Sequence, residues 1–542
     1  MTDRRTDDRL SGGRLTTEVA IVGGGLGSVA AALALLERGR RVVLTEEFPW
    51  LGGQLTSQAV PPDEHVWVEQ FGVTARYRAL REGIRRYYRD HYPLTAAARA
   101  DRELNPGRGR VSRLCHEPRV ADAVITALLA PYRSTGRLTV LQPAVPVAAE
   151  VRDEVVRSVT VADPRTGAET VISAEYVMDG TETGDLLPLT GTEYVVGAEA
   201  HSDTGEPSAP ERADPANVQS IAWCFVFDHV SGDHTIARPD DYDYWRSFEL
   251  PYWGAPMLSF TAPNPRTLVP EERTMNVNPA ADVTGDPRFD AGDQDLWQFR
   301  RIAARQNFAD GFYDSDIVLA NWPQLDYVGG SIIDTDDRRL HLAAAKAQSR
   351  AYVHWLQTEA PRPDGGRGWP GLRLRGDLVG TDDGFAQAPY IRESRRIRAL
   401  TTVREQDISV KARGDAGPAR FEGSVGVGMY RIDLHPSTGG DNYIDVECAP
   451  FEIPLGALVP VATRNLVPAA KNIGTTHITN GAYRLHPVEW NVGESAGELV
   501  AYCLELGLSP RQIATDDHLV DRLQGRLTEA GVELHWPRIV GY

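Results

Sequence analysis

Four consecutive apolar residues, Val19-Ala20-Ile21-Val22, have the length of a short buried strand, and a glycine-rich turn separates them from an Ala/Leu stretch that runs to about Glu37. Gly39 stops that stretch, and a second apolar run follows at residues 41–45, so residues 17–53 read as β-turn-α-β. Residues 71–92 alternate Arg and Tyr with apolar positions at helical spacing; 119–130 read as another helix and 138–141 as a strand. A β meander is predicted over 143–178: a strand at 155–161, a turn at Pro164-Arg165-Thr166-Gly167, a strand at 170–172, and a last strand, Tyr176-Val177-Met178, ending in Asp179-Gly180. From about 191 to 440 the pattern is irregular and rich in Trp, Tyr and Pro, with one clear helix at 338–359. Regular α/β character returns with a strand at 465–468 and a helix at 488–506.

These 542 residues exceed the ~250–300 at which single cores stop growing, so two or more lobes are expected. The simplest organisation is an α/β, Rossmann-like nucleotide-binding domain built from both ends of the chain (15–190 and 441–510). An inserted mixed α+β substrate or cap domain (191–440) lies between them, and 511–542 form a C-terminal extension.

Composition narrows the function. The formal charge of −18 leaves no basic face for a phosphate backbone, so no nucleic-acid partner is expected. Arg replaces Lys almost everywhere; the lysines are Lys346, Lys411 and Lys471, a usage that reflects coding bias but makes Lys471 stand out. Cys115, Cys224, Cys448 and Cys503 are scattered without metal-ligand or disulfide spacing, and no metal is expected. Met1 to Arg14 is charged and lacks an apolar core, and Arg4-Arg5 is followed by Thr6-Asp7-Asp8, so no signal peptide is expected. The longest apolar stretch, 29–36, falls far short of the ~20 residues that span a bilayer. A cytoplasmic protein without a membrane partner is the expectation.

The chemistry starts at the first turn. A strand, a glycine turn and a helix make an anion site because the first helical N–H groups lack partners and the helix dipole favours negative charge. Gly23 permits the turn, Gly25 lets a diphosphate approach the backbone, and Ser28, beside Gly27, stands in the third slot where Gly or Ala is usual. The following strand ends in Glu46-Glu47; an acid there accepts hydrogen bonds from adenosine ribose hydroxyls and repels a 2′-phosphate, which disfavours NADP.

After the acid, Gly52-Gly53-Gln54-Leu55-Thr56 resembles the extended fingerprint of FAD proteins of the glutathione-reductase-like superfamily, which implies a segment passing the diphosphate and running beneath the flavin. Asp179-Gly180-Thr181-Glu182-Thr183-Gly184-Asp185-Leu186 resembles a second stretch of such flavoproteins. Asn465 to His477 and Tyr483 to Gly497, with Asn321-Trp322-Pro323, Tyr390 to Arg396 and Ile432 to Pro436, resemble the bacterial FAD-dependent oxidoreductase family sometimes labelled xanthan-lyase-like. Ala470 and Ser495 are small departures from its pattern. The resemblance spans nearly the whole chain and implies FAD as cofactor; no residue suggests lyase chemistry.

Pro487 suits the first position of a helix and Glu489 its first turn, either as a simple cap or facing the flavin. Gly474 lies in the loop before it, and Gly493 and Gly497 allow close packing. Oxidation by hydride transfer needs a base, and His435, His477 and His486 stand in family-matching motifs. His477, after a strand end and a glycine loop, is the foremost of the three. Arg392 and Arg484 are candidates to hold a substrate carboxylate or polarise an oxygen. Cys115-His116 offers a possible covalent tether for the flavin, and His65 is a further candidate. The expected function is oxidation of a small polar alcohol or amine with O2 or an unidentified electron acceptor; the alternative is a monooxygenase using external NAD(P)H and O2. A second strand–glycine–helix unit is missing, which disfavours an integral nicotinamide site: Gly423 to Gly428 has no Ala/Leu helix after it.

Overall fold

In the computed structural model, which describes residues 13–282 and 295–536, the first apolar run is the buried end of a longer strand, β1 (Arg14–Val22). The extra residues form because Arg14 to Thr17 find partners across β6 (Glu169–Asp179), in the register Arg14↔Val171 to Val22↔Asp179. The glycine turn leads into α1 (Leu26–Glu37), buried along nearly its whole length, and then β2 (Val42–Thr45). β3 (Leu138–Leu141) pairs with β2, also in parallel. A short strand, β7 (Leu466–Pro468), lies parallel to the last residues of β6.

The seven-stranded sheet runs β3-β2-β1-β6, then through β5 (Val155–Ala162) to β4 (Val145–Arg152), with β7 against β6. The two predicted strands at 170–172 and 176–178 are one strand. Its first half pairs antiparallel with β5 and its second half parallel with β7, so β6 changes partners partway along one edge. The parallel strands all end on the same side, at Val22, Thr45, Leu141, Asp179 and Pro468. Crevices outside the carboxyl ends of such strands are where α/β sheets hold ligands.

The predicted helices at 71–92, 119–130, 338–359 and 488–506 appear as α2 (Ala75–His91), α3 (Pro118–Ser134), α4 (Arg338–Thr358) and α6 (His486–Leu506). A short helix, α5 (His477–Tyr483), precedes α6 and was not expected; a Thr476–Thr479 capping box starts it. α6 packs along α1, where Gly493 meets Gly27 so closely that a Cβ on Gly493 would stand 1.9 Å from the Gly27 carbonyl oxygen. The middle of the chain carries its own four-stranded sheet, of strands Arg301–Ala303, Ile317–Ala320, Phe225–His229 and Leu372–Leu374, with a core rich in Trp and Phe. No described helix is long and apolar enough to cross a membrane.

Candidate active site

Three loops at the carboxyl edge of the sheet meet around the start of α1. Gly23 sits at φ +89°, and a Cβ there would stand 2.5 Å from backbone atoms of Gly180 and Thr181, so only glycine lets the first and second motifs touch. The serine in the third slot is accommodated from the other side: Ser28 Oγ occupies the space that a Cβ on Gly180 would need. Asp179 orders the second loop, accepting from Thr181 N (3.0 Å), Thr181 Oγ1 (2.7 Å) and Leu186 N (3.2 Å). Burial still pushes its carboxyl up to about 7 against those bonds.

The loops enclose a cavity of about 440 Å³. Of the residues expected from sequence to bind the cofactor, Gly23, Gly25, Glu46 and Asp185 line it. Glu46, at the end of β2, accepts from Gly24 N (2.7 Å) and Phe48 N (2.8 Å); burial outweighs those bonds and pushes it up to about 8. The other expected residues do not line it. Gly27 lies in the first turn of α1, Gly52 packs on Ile125, Gly53 lies against Gly25, and Gly184 lies against Arg395. Thr56 Oγ1 donates to Leu51 O (2.7 Å), and Gly474 packs on the 399–401 segment.

Sequence reasoning missed the far wall. Val145 and Pro146 of β4, Ile332 and Asp334, Arg338 of α4, and Ala388, Pro389 and Ile391 belong to no nucleotide motif and reach the cavity only through the fold. Arg338 Nη1 donates to Thr183 Oγ1 (3.2 Å), and Arg395 joins Thr183 O (2.7 Å) to Asp185 (3.0 Å) and Asp334 (2.8 Å).

Glu489 does not cap its own helix; the start of α6 has no side-chain cap. Its buried carboxylate caps α1, accepting from Gly27 N (3.3 Å) through Oε1 and from Gln54 Nε2 through Oε2. From there a continuous polar chain crosses into the middle of the protein. Tyr390 OH donates to Gln54 Oε1 (3.1 Å), Arg484 Nη1 donates to Tyr390 OH (3.4 Å), and Arg484 Nη2 donates to Asp433 O (2.9 Å). Asp433 Oδ2 stands 3.7 Å from His435 Nε2, and His435 Nδ1 is 2.6 Å from Asp326 Oδ2. Arg392 closes the chain with an ion pair to Asp326 Oδ1 (2.9 Å). Burial opposes charge on Asp326, but Arg392 and His435 hold it below its ordinary value.

The structure thus joins His435, Arg392 and Arg484 and places the other two histidines in different surroundings. His477 Nδ1 lies 2.9 Å from Glu393 Oε1, which also pairs with Arg396 (2.7 Å); Arg396 in turn pairs with Glu199 (2.9 Å). Burial alone would lower the His477 pKa, yet Glu393 outweighs it and holds the ring above its ordinary value. His486 accepts from Asp63 N at Nδ1 (3.1 Å), and burial drives it down to about 3, so it is neutral. Asp63 also pairs with the buried Arg300 (3.2 Å). His65 and His116 are likewise buried and held near 4, and burial raises Cys115 to about 12, making it an unreactive thiol. Tyr390 and Asp433 lay inside stretches singled out by sequence; Asp326, Asp63 and Arg300 carried no local signal.

A family model described as FAD dependent oxidoreductase matches residues 18–527. A carotenoid phi-ring synthase of Streptomyces griseus is 34% identical over 102 residues, which is 18% of this chain and 17% of that protein. Similar solved structures include the glycerol-3-phosphate dehydrogenase of Bacillus halodurans complexed with FAD. That match has 12% identity, covers 39% of this chain and 40% of the other, and has a TM-score of 0.24. The flavin-dependent monooxygenase PieE with FAD and substrate matches at 16% identity, 40% and 35% coverage and a TM-score of 0.23. The L-proline dehydrogenase of P. horikoshii matches at 17% identity, 34% and 24% coverage and a TM-score of 0.18. The chain therefore spans less than half the length of each of these relatives.

Proposed function

The chain belongs to the FAD dependent oxidoreductase family, with FAD as its cofactor, and from that premise we propose that it oxidises a small polar molecule at an alcohol or amine carbon. The residues fit the cofactor on three counts. The Gly23–Gly25 backbone and the positive end of α1 suit the diphosphate, Glu46 at the end of β2 suits the ribose, and the 440 Å³ cavity runs from β4 to Ala388 and Ile391. In this reading residues 15–190 and 441–510 form a glutathione-reductase-like cofactor domain, supported by β7 pairing with β6 and α6 packing on α1. Residues 191–440 cap it and supply the substrate side. Four buried free cysteines among the described residues suit a reducing, cytoplasmic compartment.

When bound, FAD supplies the two-electron acceptor that takes hydride from the substrate carbon. The chain's own contribution is to hold the substrate and remove the proton from the adjacent oxygen or nitrogen. We assign that base to His435. Its ring is partly exposed, oriented through Nδ1 by Asp326, and leaves Nε2 toward Asp433 and Arg484. His477, buried and already paired with Glu393, belongs to the Glu393–Arg396 network. Arg484 and Tyr390 polarise the reacting oxygen or nitrogen, and Arg392 balances Asp326.

The observation that carries this reading is the polar chain from Gly27 through Glu489, Gln54, Tyr390 and Arg484 to Asp433, beside His435. It ties the helix that cradles the diphosphate to the one histidine set of the three that pairs with an aspartate. Anaerobic mixing of the purified protein with small alcohols and amines tests it: the expected result is bleaching of the flavin in wild type and none in His435→Ala. Bleaching by reduced nicotinamide alone would support a monooxygenase instead, and undiminished bleaching in His435→Ala would remove that histidine from the chemistry.

A further inference from the structure

The start of α1, where helix physics favours an anionic ligand, is faced by two of the chain's own carboxylates. A Cβ on Gly25 would stand 3.2 Å from Glu182 Oε1 and 3.4 Å from Glu489 Oε1, so both oxygens converge on the glycine at which a diphosphate approaches the backbone. Gly53 is equally close: a Cβ there would stand 2.7 Å from Glu182 Oε1. The two carboxylates differ in their partners. Glu489 is fully buried, with both oxygens bonded, to Gly27 N and to Gln54. Glu182 lines the cavity, binds Lys471 Nζ through Oε2, and leaves Oε1 buried without a hydrogen-bond partner.

Lys471 is the cation of this group, its side chain 1% exposed, and it comes from the loop after β7. In a chain that uses Arg for nearly every positive charge, this position holds a compact ammonium with three rotatable donors, which can exchange one acceptor for another. The group as it stands holds two carboxylates and one ammonium. A diphosphate brings roughly two further negative charges to the same helix start, and like charges that close in a partly buried site repel strongly.

We propose that Glu182 competes with the cofactor's diphosphate for Lys471, and that Lys471 passes from Glu182 to the diphosphate when FAD binds. Glu182 then is a charge that FAD binding must overcome, and Lys471 is the residue that makes this possible. The exchange breaks and forms only ion pairs and hydrogen bonds, so no covalent or redox step is involved.

Titration of the apoprotein with FAD and, separately, with riboflavin, which shares the flavin but lacks the diphosphate, tests this without any substrate. Glu182→Gln keeps the shape and removes the charge, and FAD affinity should rise by ~10-fold or more while riboflavin affinity stays unchanged. Lys471→Met should weaken FAD by a similar factor, and adding Glu182→Gln to it should recover most of that loss. Glu182→Asp, which keeps the charge but withdraws it by one methylene, should fall between wild type and Glu182→Gln and serves if the latter does not fold. An FAD affinity in the Glu182 variants equal to or below that of wild type, or an equal gain for riboflavin, overturns the proposal.

Discussion

Replacing Gly493 by alanine should loosen both the fold and the cofactor site, and the size of the effect follows from one contact. Gly493 lies within α6 and Gly27 in the first turn of α1; a Cβ on Gly493 would stand 1.9 Å from Gly27 O, 2.4 Å from its carbonyl carbon and 2.6 Å from its Cα. An ordinary C···O contact is about 3.3 Å, so the two helices must part by about 1.4 Å. No flexible side chain can absorb that, because both sides of the contact are backbone. Overpacking of this kind costs ~1–3 kcal/mol, and a backbone clash belongs at the upper end. The same displacement draws Gly27 N away from Glu489 and opens the helix start. If half the strain is relieved in this way, FAD affinity falls by about 10-fold, since 1.4 kcal/mol is a factor of ten. Gly525 is the control, exposed within α7 (Asp517–Glu529) with nothing within 4 Å of its Cβ position. There alanine removes backbone freedom at no steric cost and should stabilise by ~0.5–1 kcal/mol. Thermal unfolding and FAD titration of the two variants check this. Gly493→Ala melting with wild type, or Gly525→Ala falling as far as Gly493→Ala, would refute the reasoning.

Three further outcomes are expected. Asp326→Asn should retain FAD but slow flavin reduction by ~10²-fold, the usual worth of a positioned base; an unchanged rate with a lowered melting temperature would make Asp326 structural only. His477→Gln should leave flavin reduction within a few-fold of wild type and lower the melting temperature, because Glu393 and Arg396 lose a buried partner; loss of reduction with unchanged stability would reverse the assignment of the two histidines. The apoprotein should be most stable in mildly acidic buffer. Glu46, Asp179 and Glu489, whose pKa values burial raises to about 8, 7 and 7, lose stability as pH climbs from their ordinary values through those figures. His65, His116 and His486, lowered to about 4, 4 and 3, lose it as pH falls from 6.5 through theirs. The two sets oppose each other in the overlap, so a melting temperature that rises steadily from pH 6.5 to 8 would contradict this, and Glu46→Gln should shallow the alkaline decline.

The cofactor half of the molecule was legible in the sequence because its signals are local. Gly23, Gly25 and Glu46 follow from a strand, a turn and a helix in immediate succession, and the alternation that predicted β5 and the end of β6 needs no knowledge of the rest of the chain. The departure at Ser28 is answered by Gly180, far along the chain, and only the structure shows the two in contact. Glu489 was legible as a helix-start acid but not as the cap of a different helix, since that depends on α6 packing against α1. The catalytic half was not legible in this way. Asp326 and Asp63 stand in no motif, and what makes them notable is a partner more than 100 residues away, His435 for one and Arg300 for the other; Asp433 lies in the Ile432 to Pro436 stretch, but only the fold brings Arg484 to it. His477, after a strand end and a glycine loop, was the foremost histidine in sequence, and only the partners separate it from His435: Glu393 with Arg396 for one, Asp326 with Arg392 for the other.

If hydride leaves a substrate carbon while His435 takes the neighbouring proton, flavin reduction carries a kinetic isotope effect. With a substrate that bleaches the flavin anaerobically, deuterium at the oxidised carbon should slow flavin reduction several-fold in wild type, and His435→Ala should abolish reduction without releasing FAD. Flavin reduction that is insensitive to that deuterium, or that occurs only with reduced nicotinamide, would contradict the account.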